Sequence, residues 1–119
     1  LRKAAPLRRA LAPYDAWVNG RKRFHGGLRG ALSFVESVDG KVKLNALADW
    51  SRDDLDAYMT GRGLPRHPVA QFGFTSIGCE PCTEPAASGA EVRAGRWSGL
   101  SKTECGIHLP HGPAPGGAA

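Results

Sequence analysis

Apolar positions along this chain change period repeatedly, and each change predicts an element. Leu7, Leu11 and Tyr14 recur at helical spacing ahead of Trp17, with Pro6 suited to a first turn and Pro13 placed to end or bend the pattern. A short helix is therefore predicted there. The stretch ALSFVESVDGKVKLNAL, residues 31–47, sets an Asp39-Gly40 turn signal between two runs of β-branched or aromatic residues, as a hairpin does. Within its second run Val42 and Leu44 alternate with Lys41 and Lys43, which predicts a strand burying its valine and leucine. Ser51 followed by Asp54, with Trp50 and Leu55 at the staple positions, announces a helix over about Arg52–Thr60. Its expected core face is Leu55, Tyr58 and Met59, and Gly61 or Gly63 should end it. After PRHP, residues 65–68, regular periodicity fades to the C-terminal HGPAPGGAA.

Composition narrows the class. A chain of 119 residues with 41% hydrophobic content holds one modest core, and 16 glycines with 9 prolines make its loops plentiful. No apolar run is long enough to span a membrane and no secretory leader pattern is visible, so a cytoplasmic, soluble protein is the expectation. Three cysteines cannot all pair within one chain, which favours thiols or metal ligands over a disulfide framework. Charge is uneven: residues 1–30 carry a net +7 and the remainder −2. The basic end calls for an anionic partner, whether nucleic acid, nucleotide or acidic protein surface. Within it GRKRFHGGLRG, residues 20–30, reads as a glycine-rich loop offering amides and guanidinium groups together.

The candidate chemistry lies further on. Cys79 and Cys82 form a CxxC pair whose thiolates suit zinc or an iron-sulfur cluster, with buried thiols as the bland alternative. A thioredoxin-like dithiol is disfavoured, because Pro81, Pro85 and Gly89 oppose the helix that such a motif precedes. Adding Cys105 and His108 gives C-x2-C-x22-C-x2-H, the spacing of a Cys3His zinc site. Arg93 and Arg96 could fork around an anion with several oxygens or could be a solvated surface pair, and Cys105 beyond them is a nucleophile candidate. His108 could orient or protonate a group, bind metal, or sit exposed. His25, His67 and His111 show no mutual ligand spacing, and His67 before Pro68 reads as structural.

Taken in order, LRKAAPL, GRKRFHGGLRG, LADWS, HPVAQFGFTSIGCEPCT, RAGRW and KTECGIH resemble the assimilatory sulfonucleotide reductases. The likeness is to the iron-sulfur adenylyl-sulfate (APS) reductases, relatives of the phosphoadenylyl-sulfate (PAPS) reductases. Each piece alone is weak, whereas the ordered set covers nearly the whole chain and is specific. The resemblance implies an α/β fold: residues 1–119 as the C-terminal half of a Rossmann-like adenine nucleotide alpha hydrolase-type domain, with a cluster-binding loop and a flexible tail over residues 109–119. It implies that Cys79 and Cys82 supply half the ligands of a 4Fe-4S cluster. The other half would come from a tandem cysteine pair upstream of Leu1, so the isolated chain is expected to be an inactive fragment.

By the same resemblance Lys3, Arg29, Arg93 and Arg96 surround the phosphosulfate, with His108 beside the substrate. Cys105 attacks sulfur to give AMP and an enzyme S-sulfocysteine, from which thioredoxin releases sulfite. This is a step of sulfate assimilation toward cysteine. The CxxC pair points to APS, although some cluster-bearing members accept PAPS as well. Two departures stand out: Glu84 where an arginine is usual after CxxCT, and Ser98-Gly99 where two tryptophans usually follow RAGRW. The competing reading, from a different class, is a small Cys3His zinc-stabilised module binding nucleic acid; the resemblance disfavours nucleic acid.

Overall fold

The computed structural model describes residues 3–102 and 104–108. His111 and the tail expected over residues 109–119 lie outside the described residues. Helix α1 spans Ala4–Leu11, strand β1 Ala16–Asn19, β2 Val35–Val38, β3 Lys41–Asn45 and helix α2 Arg52–Gly61, and short 3-10 turns connect or follow them. The strands form a small mixed sheet in the order β1-β3-β2, with β1 parallel and β2 antiparallel to β3. This is an α/β arrangement.

Where the chemistry is local, the elements follow their local sequence signals. Asp39 and Gly40 adopt φ of 52° and 74°, as the two central residues of a type I′ hairpin require, and Val38 pairs with Lys41 across the turn. The Ser51 hydroxyl accepts from the Asp54 amide at 3.1 Å while the Asp54 carboxylate accepts from the Ser51 amide at 2.8 Å, completing a capping box. At the other end the Leu64 amide donates to the Met59 carbonyl and the Gly63 amide to that of Thr60, a Schellman ending. Helix α1 stops at Leu11, and Tyr14 lies beyond it, exposed. His67 is structural, as expected: its ring accepts from the Val69 amide at the head of the Pro68–Phe72 turn.

Two burial expectations fail. On β3 it is Lys43 and Asn45 that are buried, at 1% and 0% exposure, whereas Val42 is 43% exposed. Val18, Val35 and Val42 all lie exposed on the open side of the sheet. The strand's inner face is polar because its partners are polar. Asn45 Oδ1 accepts from Asn19 at 2.7 Å and from Arg21, and its amide donates to the Ser33 carbonyl and to Glu36, both at 2.6 Å. Arg21 in turn pairs with Glu36. Alternation announces two faces without saying which one the rest of the chain covers. The second failure is α2, which is peripheral: Tyr58 is 45% exposed, its ring meeting Trp50 edge-on at 5.4 Å, and Leu55 and Met59 are only half-buried.

Candidate functional site

The basic loop spends much of its charge internally. Arg21 engages Glu36, Arg23 pairs with Asp49 and donates to the Leu32 carbonyl, and Arg29 engages Glu104. The guanidinium groups that this loop offers are thus largely partnered already: carboxylates elsewhere in the chain take three of them. This removes much of the cationic surface that a nucleic-acid module would need.

The CxxC turn and the RAGRW segment are zipped together. Cys79 caps a single 3-10 turn over Glu80–Cys82, in which the Cys82 amide donates to the Cys79 carbonyl at 2.9 Å and Pro81 holds the bend. Thr83 ties both sides of this turn, its hydroxyl donating to the Cys79 carbonyl at 2.8 Å and accepting from the Gly78 amide at 3.1 Å. The Glu84 amide donates to the Gly95 carbonyl, the Trp97 amide to that of Cys82, and Arg96 Nε to the same Cys82 carbonyl at 3.1 Å. Approach at this seam is so close that a methyl group on Gly95 would overlap the Glu84 carbonyl oxygen. One on Gly78 would meet the Arg96 guanidinium.

All the residues that the sequence nominated line one cavity of about 390 Å³: Lys3, Arg29, Cys79, Cys82, Arg93, Arg96, Cys105 and His108. They come from distant parts of the chain, Lys3 from the head of α1, Arg29 from the end of a 3-10 turn, Cys105 and His108 from the last described segment. None of the three cysteines is in a disulfide, and all are half-buried. Lys3 hydrogen-bonds the Cys79 sulfur, and that bond together with the sulfur's charge raises the ammonium's pKa. Arg93 and Arg96 do act as neighbours, but over a shared ring: their guanidinium carbons lie 5.3 and 4.6 Å from the centroid of Trp97.

Three contributors were missed. Glu104, 6% exposed, accepts from Arg29 through both oxygens, at 2.5 and 3.0 Å, and from Arg93 at 3.2 Å. Burial pushes its carboxyl up, but the Arg29 hydrogen bond and the Arg29 and Arg93 charges outweigh that and bring it down to about 2. His25 sits 3.1 Å from Arg29 through Nδ1, and burial with the Lys22 and Arg29 charges lowers it to about 4. A neutral ring there accepts from Arg29 and steadies it. Trp97 is buried at φ 51°, an unusual backbone setting for an aromatic residue. The only hints in the sequence were the motifs they lie in: KTECGIH for Glu104, RAGRW for Trp97 and GRKRFHGGLRG for His25.

His108 lies parallel to Trp17, ring centroids 6.5 Å apart, and its Nδ1 is buried without a hydrogen-bond partner among the described residues. Burial, then the charges of Lys43 and Arg21, lower it to about 4, so the imidazole is neutral at pH 7. Ile107 lines a second, small apolar cavity with Leu7, Leu11 and Trp17. Among the described residues no three His, Cys, Asp or Glu side chains converge on a point that could hold a metal ion, so Cys79, Cys82, Cys105 and His108 are not drawn together as a Cys3His centre. The CxxC thiols alone fit half of a four-thiolate donor set.

The family model for the phosphoadenosine phosphosulfate reductase domain matches residues 1–85. The chain belongs to this family. It is 47% identical over 109 residues to the adenosine 5'-phosphosulfate reductase of Mesorhizobium japonicum, covering 92% of this chain and 43% of that protein. Identity is 46% over 110 residues to the protein of the same name from Chelativorans sp., covering 92% of this chain and 45% of that one. It is 49% over 112 residues to the phosphoadenosine 5'-phosphosulfate reductase of Gloeobacter violaceus, covering 91% and 46%. The chain therefore spans less than half the length of these curated relatives. No helix among the described residues is long and apolar enough to cross a membrane.

Proposed function

We propose that this chain forms the C-terminal half of a thioredoxin-dependent reductase that converts adenylyl sulfate to sulfite and AMP in the cytoplasm, as part of sulfate assimilation. Its small sheet would then be the late portion of a Rossmann-like nucleotide-binding domain. The observation that carries the reading is the single cavity where Cys105 meets Lys3, Arg29, Arg93 and Arg96. A sulfonyl sulfur ringed by anionic oxygens repels an approaching thiolate, so cations must offset that charge before attack. Among the described residues Arg96 and Lys3 form no ion pair with a carboxylate, which makes them the first cations open to a substrate anion.

In the proposed reaction the Cys105 thiolate bonds to sulfur as the S–O bond to AMP breaks, leaving an S-sulfonated cysteine. A thioredoxin thiolate attacks the Cys105 sulfur and sulfite leaves with the S–S bonding pair; the second thiol then attacks the resulting mixed disulfide, expels the Cys105 thiolate and closes the thioredoxin disulfide. Two electrons thus pass from the dithiol to sulfur. Neutral His108 lines the same cavity as Cys105 and can donate one N–H into it. Cys79 and Cys82 would hold one side of a 4Fe-4S cluster, with the remaining thiolates supplied from outside the described residues. When bound, such a cluster would tune the electrostatic field near the sulfate through its iron centres and the groups around them.

The test is a chimera in which this chain replaces the aligned residues of the Mesorhizobium japonicum relative. With adenylyl sulfate and no reductant, the Cys105 peptide should gain one SO3 unit by mass spectrometry, and thioredoxin should then release sulfite. Sulfonation at Cys79 or Cys82 instead, or none at all, would overturn the assignment. The isolated 119-residue chain is expected to form no sulfite.

A further inference from the structure

We infer that Glu104 is the positioning residue for Cys105: its carboxylate, clamped by Arg29 and Arg93, docks the thiol-bearing segment against the cavity. The inference rests on the proposed role of Cys105 for its functional meaning, but on geometry for its content. The carboxylate is buried and held by both partners, with a bidentate fork from Arg29. Arg29 is itself held from behind by the neutral ring of His25. Glu104 immediately precedes Cys105, so fixing its side chain at the cavity wall leaves the neighbouring thiol little room to wander.

Two further contacts secure the other side of the thiol. The Gly106–His108 turn lies next to α1, where Ile107 shares the lining of a small apolar cavity with Leu7 and Leu11, and the His108 ring lies parallel to Trp17. The His108 amide donates to the Cys105 carbonyl at 3.0 Å, so these anchors and the thiol move as one turn. Glu104 is the only ionic one among the described residues of this segment. It also assigns the cations different tasks. Arg29 and Arg93 hold the segment, while Arg96 and Lys3 keep their charge for an incoming anion.

The experiment is alkylation of the chain by iodoacetamide, with each cysteine followed separately by peptide mapping and Cys79 and Cys82 as internal references. Glu104→Gln should raise the rate at Cys105, relative to the references, by about tenfold or more, because breaking a buried ion pair releases what it held. Arg29→Gln is the decisive variant. Loss of a nearby cation by itself disfavours a thiolate and slows alkylation, whereas release of the segment speeds it. An increase in both variants, with the double variant no faster than either alone, supports docking through this pair. An unchanged ratio, a slower Cys105 in Arg29→Gln, or an equal rise at all three cysteines overturns it. These outcomes are read without substrate, so they stand or fall apart from the reductase assignment. In the active chimera Glu104→Gln should lower kcat while leaving KM within about twofold.

Discussion

The Arg96 guanidinium lies over the indole of Trp97, its next neighbour in the chain, 4.6 Å from the ring centroid. Adjacent residues rarely stack this way, and the left-handed backbone at Trp97 turns the ring under Arg96, Arg93 and Lys102. The buried ring and two of these cations, Arg93 and Arg96, line the candidate cavity. Replacing Trp97 by Phe keeps a platform with a weaker quadrupole, at a cost of about 0.5–1 kcal/mol in cation binding. A several-fold weaker affinity for adenylyl sulfate with a nearly unchanged melting temperature is expected, measured by calorimetry and thermal unfolding. Trp97→Ala should instead destabilise by roughly 3–5 kcal/mol.

Gly95 is where the CxxC turn and the RAGRW segment touch backbone to backbone. Gly95→Ala cannot keep both the Glu84 carbonyl in place and the Glu84 amide bonded to the Gly95 carbonyl. Urea unfolding should show a loss of at least about 1–3 kcal/mol, the scale of a broken buried backbone pairing plus local strain. A stability equal to that of the unsubstituted chain would mean the seam is looser than its contacts indicate.

Acid should weaken this fold from near neutrality downward. His25 and His108 titrate near 4 in the folded chain and near 6.5 when unfolded, so between those values the unfolded chain binds more protons and stability falls as pH drops. Glu104 acts lower: its folded value of about 2 lies below 4.5, so its contribution is present above 4.5 and is lost as pH falls through 2. The groups facing His108 are Lys43, Arg21, Arg29 and Glu104; those facing His25 are Lys22, Arg29, Arg93 and Arg52. Stability measured in urea should decline from about pH 6.5 toward 4, and His108→Gln should flatten part of that slope.

Asn45 is completely buried at the centre of a polar network spanning all three strands' ends. Asn45→Ala leaves Arg21, Glu36 and Asn19 with unmet bonds in a low-dielectric setting, and a destabilisation of about 2–4 kcal/mol is expected. Lys43→Met, by contrast, removes a buried cation whose pKa burial and the Arg21 charge lower. It should be tolerated far better, as paired denaturation curves would reveal.

Metal uptake separates the two cysteine readings. In the chimera, Cys79→Ser or Cys82→Ser should each abolish the visible absorbance gained on anaerobic reconstitution with iron and sulfide, while Cys105→Ser and His108→Ala should retain it. A Cys3His zinc centre would require all four substitutions to reduce metal content alike.

What the chain revealed unaided was set by near neighbours. Caps, the hairpin turn and the CxxC bend depend on interactions within a few residues, so Ser51, Asp39-Gly40 and Pro81 announced them. The residues that line the candidate cavity were also nominated by the sequence, but as ordered motifs rather than as a place. Which face of β3 turns inward, which arginines are consumed by carboxylates and which remain, and how Glu104 comes to sit between Arg29 and Arg93 depend on contacts up to 75 residues apart in sequence. Such contacts decide whether a charge is a ligand for something else or a partner already taken. A guanidinium looks the same in a sequence either way; only its neighbours in three dimensions distinguish the two.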